Sequence, residues 1–224
     1  MSDALTAYLQ EVSAALHGRK AVEIVALLAL PHNSFTAEHR TLAALVKANA
    51  DIARTCYKSL RVDQPLAEAV SGRLMCLTAL VRGEHDTAYK AVHGAFNCLL
   101  DFMGANTEFP FLAGVLTRLA SDLRVIAALA DASKADREKL SNPALRECQN
   151  SITRGFTLIA KDRLPITDPA CKKRHLFYIT NTLFKIYFRL NTLQLMGKLI
   201  KLVDSPSVMS NLKAFPLCDV VMYK

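Results

Sequence analysis

The stretch HLFYITNTLFKIYFRLNTLQLMGKLIKLVDS, residues 175–205, decides the fold. Leu176, Ile179, Leu183, Ile186 and Leu190 recur at spacings of three and four, which places them on one face of a helix. Phe177, Phe184, Tyr187 and Phe188 widen that face beyond the stripe a lone surface helix needs. Asn191-Thr192 interrupts the pattern, which restarts with Leu193, Leu195, Met196, Leu199, Ile200 and Val203. Asp204-Ser205-Pro206 ends it, because proline has no amide proton and clashes with a continuing helix. Two amphipathic helices joined by so short a turn pack antiparallel. Their surplus apolar surface calls for neighbours on both sides, as in one unit of a helical stack.

The rest of the chain repeats the theme. Asp3 is placed to cap a first helix to about His17, with Leu5, Tyr8, Leu9, Val12 and Leu16 on one face and Gly18 closing it. A second helix is expected over Ala21–Leu30, stopped by Pro31, followed by a turn at His32-Asn33-Ser34. Ser34 or Thr36 would cap a longer helix to about Leu60, and Pro65 suits the first turn of the next, which ends at Gly83. Further helices are expected from Asp86 to Met103, from Pro110 to about Asp131 and from Pro143 to about Ile159. The polar run from Ala132 to Asn142 is expected to be an exposed loop, and Phe215 to Lys224 resembles the start of another helix. No strand alternation with turn chemistry occurs. The fold class is all-α, an irregular TPR-like α-solenoid of nine or ten helices. It divides into N-terminal helices over 1–60 and a helical repeat region over 61–224. The abrupt end without a capping layer suggests a fragment of something longer.

Composition narrows the function. Half of the 224 residues (51%) are hydrophobic, enough for a large core, and about 70% of the unfolded surface could be buried. The longest apolar run, near Val22–Pro31, is too short for a bilayer, and the N-terminus lacks the features of a secretory signal. Six scattered cysteines without a CxxC pair are expected to be reduced, and the histidines lack zinc-ligand spacing. No GxSxG, P-loop or GxGxxG sequence is present, so neither an enzyme nor a cofactor is expected.

The charge is uneven. Residues 1–110 carry ten Lys/Arg against eleven Asp/Glu, and residues 111–224 carry eighteen against nine. Between Lys161 and Lys201 nine basic residues face two acidic ones, which points to an acidic partner or a nucleic acid. The candidate contacts are Lys172, Lys173 and Arg174, at the start of a helix where cations are disfavoured, with Lys185, Arg189, Lys198 and Lys201 on the polar faces of the helix pair. Each phosphate neutralised there would add roughly 0.9 to the salt slope on duplex DNA, or roughly 0.7 on a single strand. Phe184, Tyr187 and Phe188 are expected in the core rather than as a base-stacking platform. Asp162-Arg163 and Asp168 are expected to form a capped turn entering a helix over 168–190.

NTLFKIYFRLNTLQLMGKLIKLVDS at 181–205 resembles a segment of the PCI-domain proteins of the nuclear mRNA-export branch, subunits of the second transcription-and-export complex, with a signalosome-associated relative. QPLAEAVSGRLMCL at 64–77, GEHDTAYKA at 83–91, SDLRVIAALAD at 121–131 and GFTLIAKDRLPITDPACKKR at 155–174 resemble further elements of that family in the same order. The resemblance implies TPR-like helices followed by a winged helix, which would lie beyond Lys224. It implies a non-catalytic scaffold coupling transcription to mRNA export, in the nucleus at or near the pores, with the cytoplasm as a second location. Its implied partners are the export complex's scaffold subunit and a small acidic disordered subunit shared with the proteasome lid, with RNA or DNA as a further contact and no membrane. Two other readings stay open: a signalosome- or proteasome-lid-type scaffold without a nucleic-acid role, and a direct nucleic-acid-binding module.

Overall fold

The computed structural model describes residues 3–31, 34–134 and 142–223. Among them stand twelve helices and no strand, so the chain is an all-α, solenoid-like stack. Its middle is a ladder of long helices: α5 (Gln64–Val81), α6 (His85–Ala105), α7 (Leu112–Ser133), α8 (Pro143–Ala160) and α9 (Leu176–Leu190). Each packs on the next, α5 against α6, α6 against α7, α7 against α8 and α8 against α9. Gly83 takes the left-handed conformation (φ +73°) at the tight α5–α6 connection. Gly72 brings α5 and α6 close, since a Cβ there would stand 3.0 Å from the Ala91 carbonyl oxygen and 3.1 Å from the Ala95 methyl.

The N-terminal helices are α1 (Asp3–His17), α2 (Ala21–Leu27), α3 (Ala37–Ala48) and α4 (Ile52–Leu60). They cover one side of the ladder: α3 and α4 rest on α5, and α2 reaches across to α7. One buried apolar core runs from Leu5 to Val220 and includes both sides of the expected 60/61 division. The capping role expected of the Asp3 side chain, the turn at residues 32–33 and the centre of the expected loop at 135–141 lie outside the described residues.

Several boundaries differ from expectation, each for a local reason. Arg19 rather than Gly18 takes the left-handed position after α1 (φ 53°), with the Lys20 amide returning to the Ala15 carbonyl. The second helix stops at Leu27, not Leu30, because side chains capture its outgoing backbone. Tyr8 donates to the Leu27 carbonyl (3.0 Å), Arg73 to that of Leu28, and the Leu30 amide donates to Asp122 (3.3 Å). The single helix expected to reach Leu60 is two. Asn49 Oδ1 accepts from the Asp51 amide and Asp51 caps α4 through the Arg54 amide, and such local bonds outcompete a continuing helix. Of the two expected caps, Thr36 starts α3, in a box closed by His39. Asp131, at the end of α7, accepts from the Ala144 and Leu145 amides and so caps α8 from the preceding helix.

The opening stretch folds as read, with three corrections. Leu176, Ile179, Leu183 and Ile186 are fully buried, and Asn191 (φ 53°) closes α9 as Tyr187 O accepts from the Thr192 amide. The second helix is α10 (Met196–Val203), followed by the short α11 (Pro206–Met209) and by α12 (Leu217–Tyr223). Against expectation, Phe188 is 63% exposed; Tyr187 is buried and Phe184 half-buried. Leu193 and Leu195 are exposed as well, because they sit in a 3-10 turn rather than on the α10 face. The helix expected over 168–190 begins only at Leu176, behind a 3-10 turn at Lys172–His175.

Candidate interaction surface

The loop that links α8 to the 3-10 turn is built by its two carboxylates. Asp162 accepts from the Leu164 amide (3.1 Å) and the Lys172 amide (2.6 Å), and Asp168 accepts from that of Ala170 (2.8 Å). Both behave as turn-formers, which fixes where the basic residues on either side point.

The expected contact residues separate into two groups. Lys185 and Arg189 are exposed one turn apart on α9, and Lys198 and Lys201 are exposed three apart on α10, which packs against α9. Lys185 lies near Asp219 and opposes the upward pull that burial exerts on that carboxyl. Arg189 adds to the repulsion on Arg124, whose pKa burial lowers. Lys173 and Arg174 are half-buried. Lys172 is buried and turned elsewhere: it lines a groove of about 730 Å³ together with Arg154, Lys161 and Arg163. Arg154 lies outside the basic run and was not legible as part of it; Lys161 and Arg163 are in the run, but nothing in their spacing marks them as Lys172's neighbours.

Between α6 and α8 lies a polar cluster that no motif announces. Ser151 Oγ is 2.8 Å from His93 Nε2, Glu147 Oε1 is 3.7 Å from His93 Nδ1, and Tyr89 donates to Glu147 Oε2 (2.7 Å). The order serine, histidine, carboxylate resembles a nucleophile relay. Ser151 is buried in mid-helix, however, where backbone amides are occupied by helical bonds and offer no oxyanion hole. It is an interhelix clamp. Among the described residues no cluster of His, Cys, Asp or Glu could hold a metal, and no helix is long and apolar enough to cross a membrane.

Two histidines, His93 in the clamp and His175 in the 3-10 turn before α9, make the fold sensitive to pH. Burial lowers the pKa of His93, against the pull of Glu147 and with help from Arg154. It also lowers that of His175, which packs on Gly114 beside Arg174. Their folded pKa values lie below the unfolded value of 6.5, so the unfolded chain binds more protons as the medium acidifies. Stability is therefore complete above about pH 6.5 and falls as the pH drops through the folded values. Urea melts at pH 7.5 and 5.5 are expected to differ by on the order of 1 kcal/mol, and His175→Phe should shrink the difference. A flat profile would remove both histidines from the account.

No family model matches the chain. PCI domain-containing protein 2 of Danio rerio is 26% identical over 222 residues, 98% of this chain and 52% of that protein. The PCI domain-containing protein 2 homolog of Dictyostelium discoideum is 26% identical over 187 residues, 80% of this chain and 41% of that protein. The chain is thus similar to PCI domain-containing proteins along most of its length. A Neurospora crassa protein called CSN12 homolog is 36% identical over 90 residues, 40% of this chain and 20% of that protein. The chain thus spans about half the length of the PCI domain-containing relatives it matches.

Proposed function

We propose that the chain is the helical portion of a non-catalytic PCI scaffold subunit, acting in a nuclear complex that couples transcription to mRNA export. The observation that carries this reading is likeness to PCI domain-containing proteins along 80–98% of the chain, on a ladder of stacked helices. Stacked helices offer long surfaces to partners. The apolar residues left exposed at the C-terminal side, Phe188, Leu202, Leu217 and Val221, suit hydrophobic assembly. The partners of this reading are the export scaffold subunit and a small acidic disordered subunit, with the exposed α9–α10 cations adding a contact to RNA or DNA at or near nuclear pores.

The likeness to the CSN12 homolog supports a second reading, a protein-interaction scaffold of the signalosome or lid type without a nucleic-acid role. Affinity purification of the full-length protein from nuclear extract, with partners identified by mass spectrometry, separates the two. The first reading expects the export scaffold and a small acidic subunit; signalosome or lid subunits alone would replace it with the second. Oligonucleotide binding by this chain is expected to weaken with salt and to be lost when Lys185, Arg189, Lys198 and Lys201 are reversed to Glu. Binding that survives those reversals would remove the helix pair from the nucleic-acid contact.

A further inference from the structure

A groove of about 690 Å³ lies among the N-terminal helices, where α1, α4 and the segment between α6 and α7 meet. It brings Arg19, Lys58 and Arg61 together with the rings of Tyr57, Phe109 and Phe111. Among the described residues no carboxylate stands within ion-pair distance of these three cations. Lys58 lies in the last turn of α4, Arg61 ends that helix and Arg19 follows α1, and helix polarity favours cations at such ends. Polarity does not account for the backbone, however. Arg19 (φ 53°) and Arg61 (φ 52°) both take the left-handed conformation, which L side chains disfavour. The other described non-glycine residues with positive φ are Asn142 and Asn191, a residue type that tolerates it. Gly18 directly precedes Arg19, yet the arginine holds the left-handed position. Two arginines thus stand where glycine would be easier, and both line one groove.

The rings supply the other half of the site. Tyr57 is 52% exposed and sits one helical turn before Arg61. The Arg19 guanidinium lies 5.9 Å from the centre of the Phe109 ring, and Phe109 and Phe111 stand together with centroids 6.0 Å apart. Asp63 is the groove's one acid among the described residues, and its side chain makes no capping bond to α5.

We propose that this groove binds a nucleoside phosphate, its phosphates on Arg19, Lys58 and Arg61, its base stacked on Tyr57 and its ribose hydroxyls on Asp63. The volume lies within the range of roughly 300–1,000 Å³ common to small-ligand sites. Aromatic side chains stack any base, and guanidinium groups match phosphate oxygens in a forked geometry. A nucleic-acid strand matches less well, because it needs a basic track along its backbone. Residues 1–110 carry ten Lys/Arg against eleven Asp/Glu, so three cations gathered in one groove leave the rest of that half acidic. Compact ligands need only the groove. The site is separate from the α9–α10 cations and stands whether or not those contact RNA or DNA.

The test is titration calorimetry on the 224-residue chain, without added metal, using ATP, adenosine, inorganic tripolyphosphate and a short oligouridylate. ATP is expected to bind saturably, and adenosine and tripolyphosphate more weakly, since each meets only part of the site. Arg19→Glu and Lys58→Glu are each expected to weaken ATP binding roughly tenfold, the worth of one charge-assisted contact. Tyr57→Ala should weaken ATP severalfold and leave tripolyphosphate unchanged, because only the base stacks. Arg61→Gly should weaken ATP yet melt at the same temperature or higher, since glycine relieves the left-handed turn; an arginine kept for structure alone would lose stability instead. Lys185→Glu/Lys201→Glu should change nothing. Absence of saturable ATP binding overturns the proposal. So does tripolyphosphate that binds as tightly as ATP and ignores Tyr57, which would leave only a patch for anions. Arg61-dependent binding of the oligouridylate that exceeds that of ATP overturns it in favour of a strand.

Discussion

Asp122→Ala is expected to destabilise the chain by about 3–5 kcal/mol, a fall in Tm on the order of 10 °C for a domain of this size. Asp122 is fully buried on α7, and its Oδ2 accepts the Leu30 amide where the chain leaves α2. Arg118 Nε stands 3.3 Å from Oδ1, at ion-pair distance though without hydrogen-bond alignment. Arg73 of α5, itself buried, donates to the Leu28 carbonyl and is stabilised in its charged form by Asp122. Burial pulls the Arg73 pKa down, so the carboxylate is part of what keeps this guanidinium charged inside the protein. Alanine would leave the cation with less compensation and the Leu30 amide without its acceptor, and such losses exceed the worth of one neutral hydrogen bond. The double variant Arg73→Met/Asp122→Leu should recover most of the loss, since it removes charge and counter-charge together. Urea melts of the four proteins in this cycle measure the coupling. A loss below about 1 kcal/mol for Asp122→Ala, the scale of a typical neutral hydrogen bond, would show that the cluster does not anchor the α2–α7 contact.

That anchor also shows where reading the sequence stops. SDLRVIAALAD could be matched to a family element, yet nothing in it says that Asp122 holds an amide 92 positions away. Periodicity reports which face of a helix is apolar, so the buried face of α9 was legible from Leu176 to Leu190. It does not report how much of that face finds a neighbour, and Phe188, one turn from Phe184, ends up in solvent. Helix ends divide in the same way. Thr36, Gly83 and Asn191 act through their own backbone or side chain and were legible; the early end of α2 depends on Tyr8, Arg73 and Asp122, which arrive from three other helices.

The interaction surface follows the same division. Counting charges located the basic region between Lys161 and Lys201, because excess charge is a property of composition. Which cations share a groove depends on the 3-10 turn at 172–175, which turns Lys172 towards α8 and leaves Lys185 and Arg189 on another surface. An α-helix continuing back to Asp168, as the sequence suggested, would have joined Lys172 to the wrong group. The physical reason is that Asp162 binds the Lys172 amide and imposes a turn, a bond across ten residues that no local pattern encodes.

Phe177→Ala is the second change expected to have a large effect, about 3–5 kcal/mol of local stability, concentrated at the C-terminal helix. Phe177 is 1% exposed, and its ring meets Phe215 edge-on at 4.7 Å and Tyr223 at 5.1 Å between centroids. Phe184 stacks on Tyr223 as well, at 5.8 Å. Asn181 Nδ2 donates to the Asp219 carbonyl (2.8 Å), and Tyr223 donates to Asp204 (2.9 Å). These contacts hold α12, a helix of seven residues that is too short to persist by itself in water. Deleting the ring removes its packing against both Phe215 and Tyr223, so the cavity and the loss of docking fall on one element. Hydrogen exchange should therefore show amides 217–223 losing protection while those of α5, α6 and α7 keep theirs. Phe177→Leu, which refills most of the space, should retain the greater part of the docking. Equal loss of protection along α5–α9 would place Phe177 in the global core instead. In that case α12 would be held chiefly by the Asn181 and Tyr223 hydrogen bonds rather than by the aromatic cluster on the helix that organises the stack.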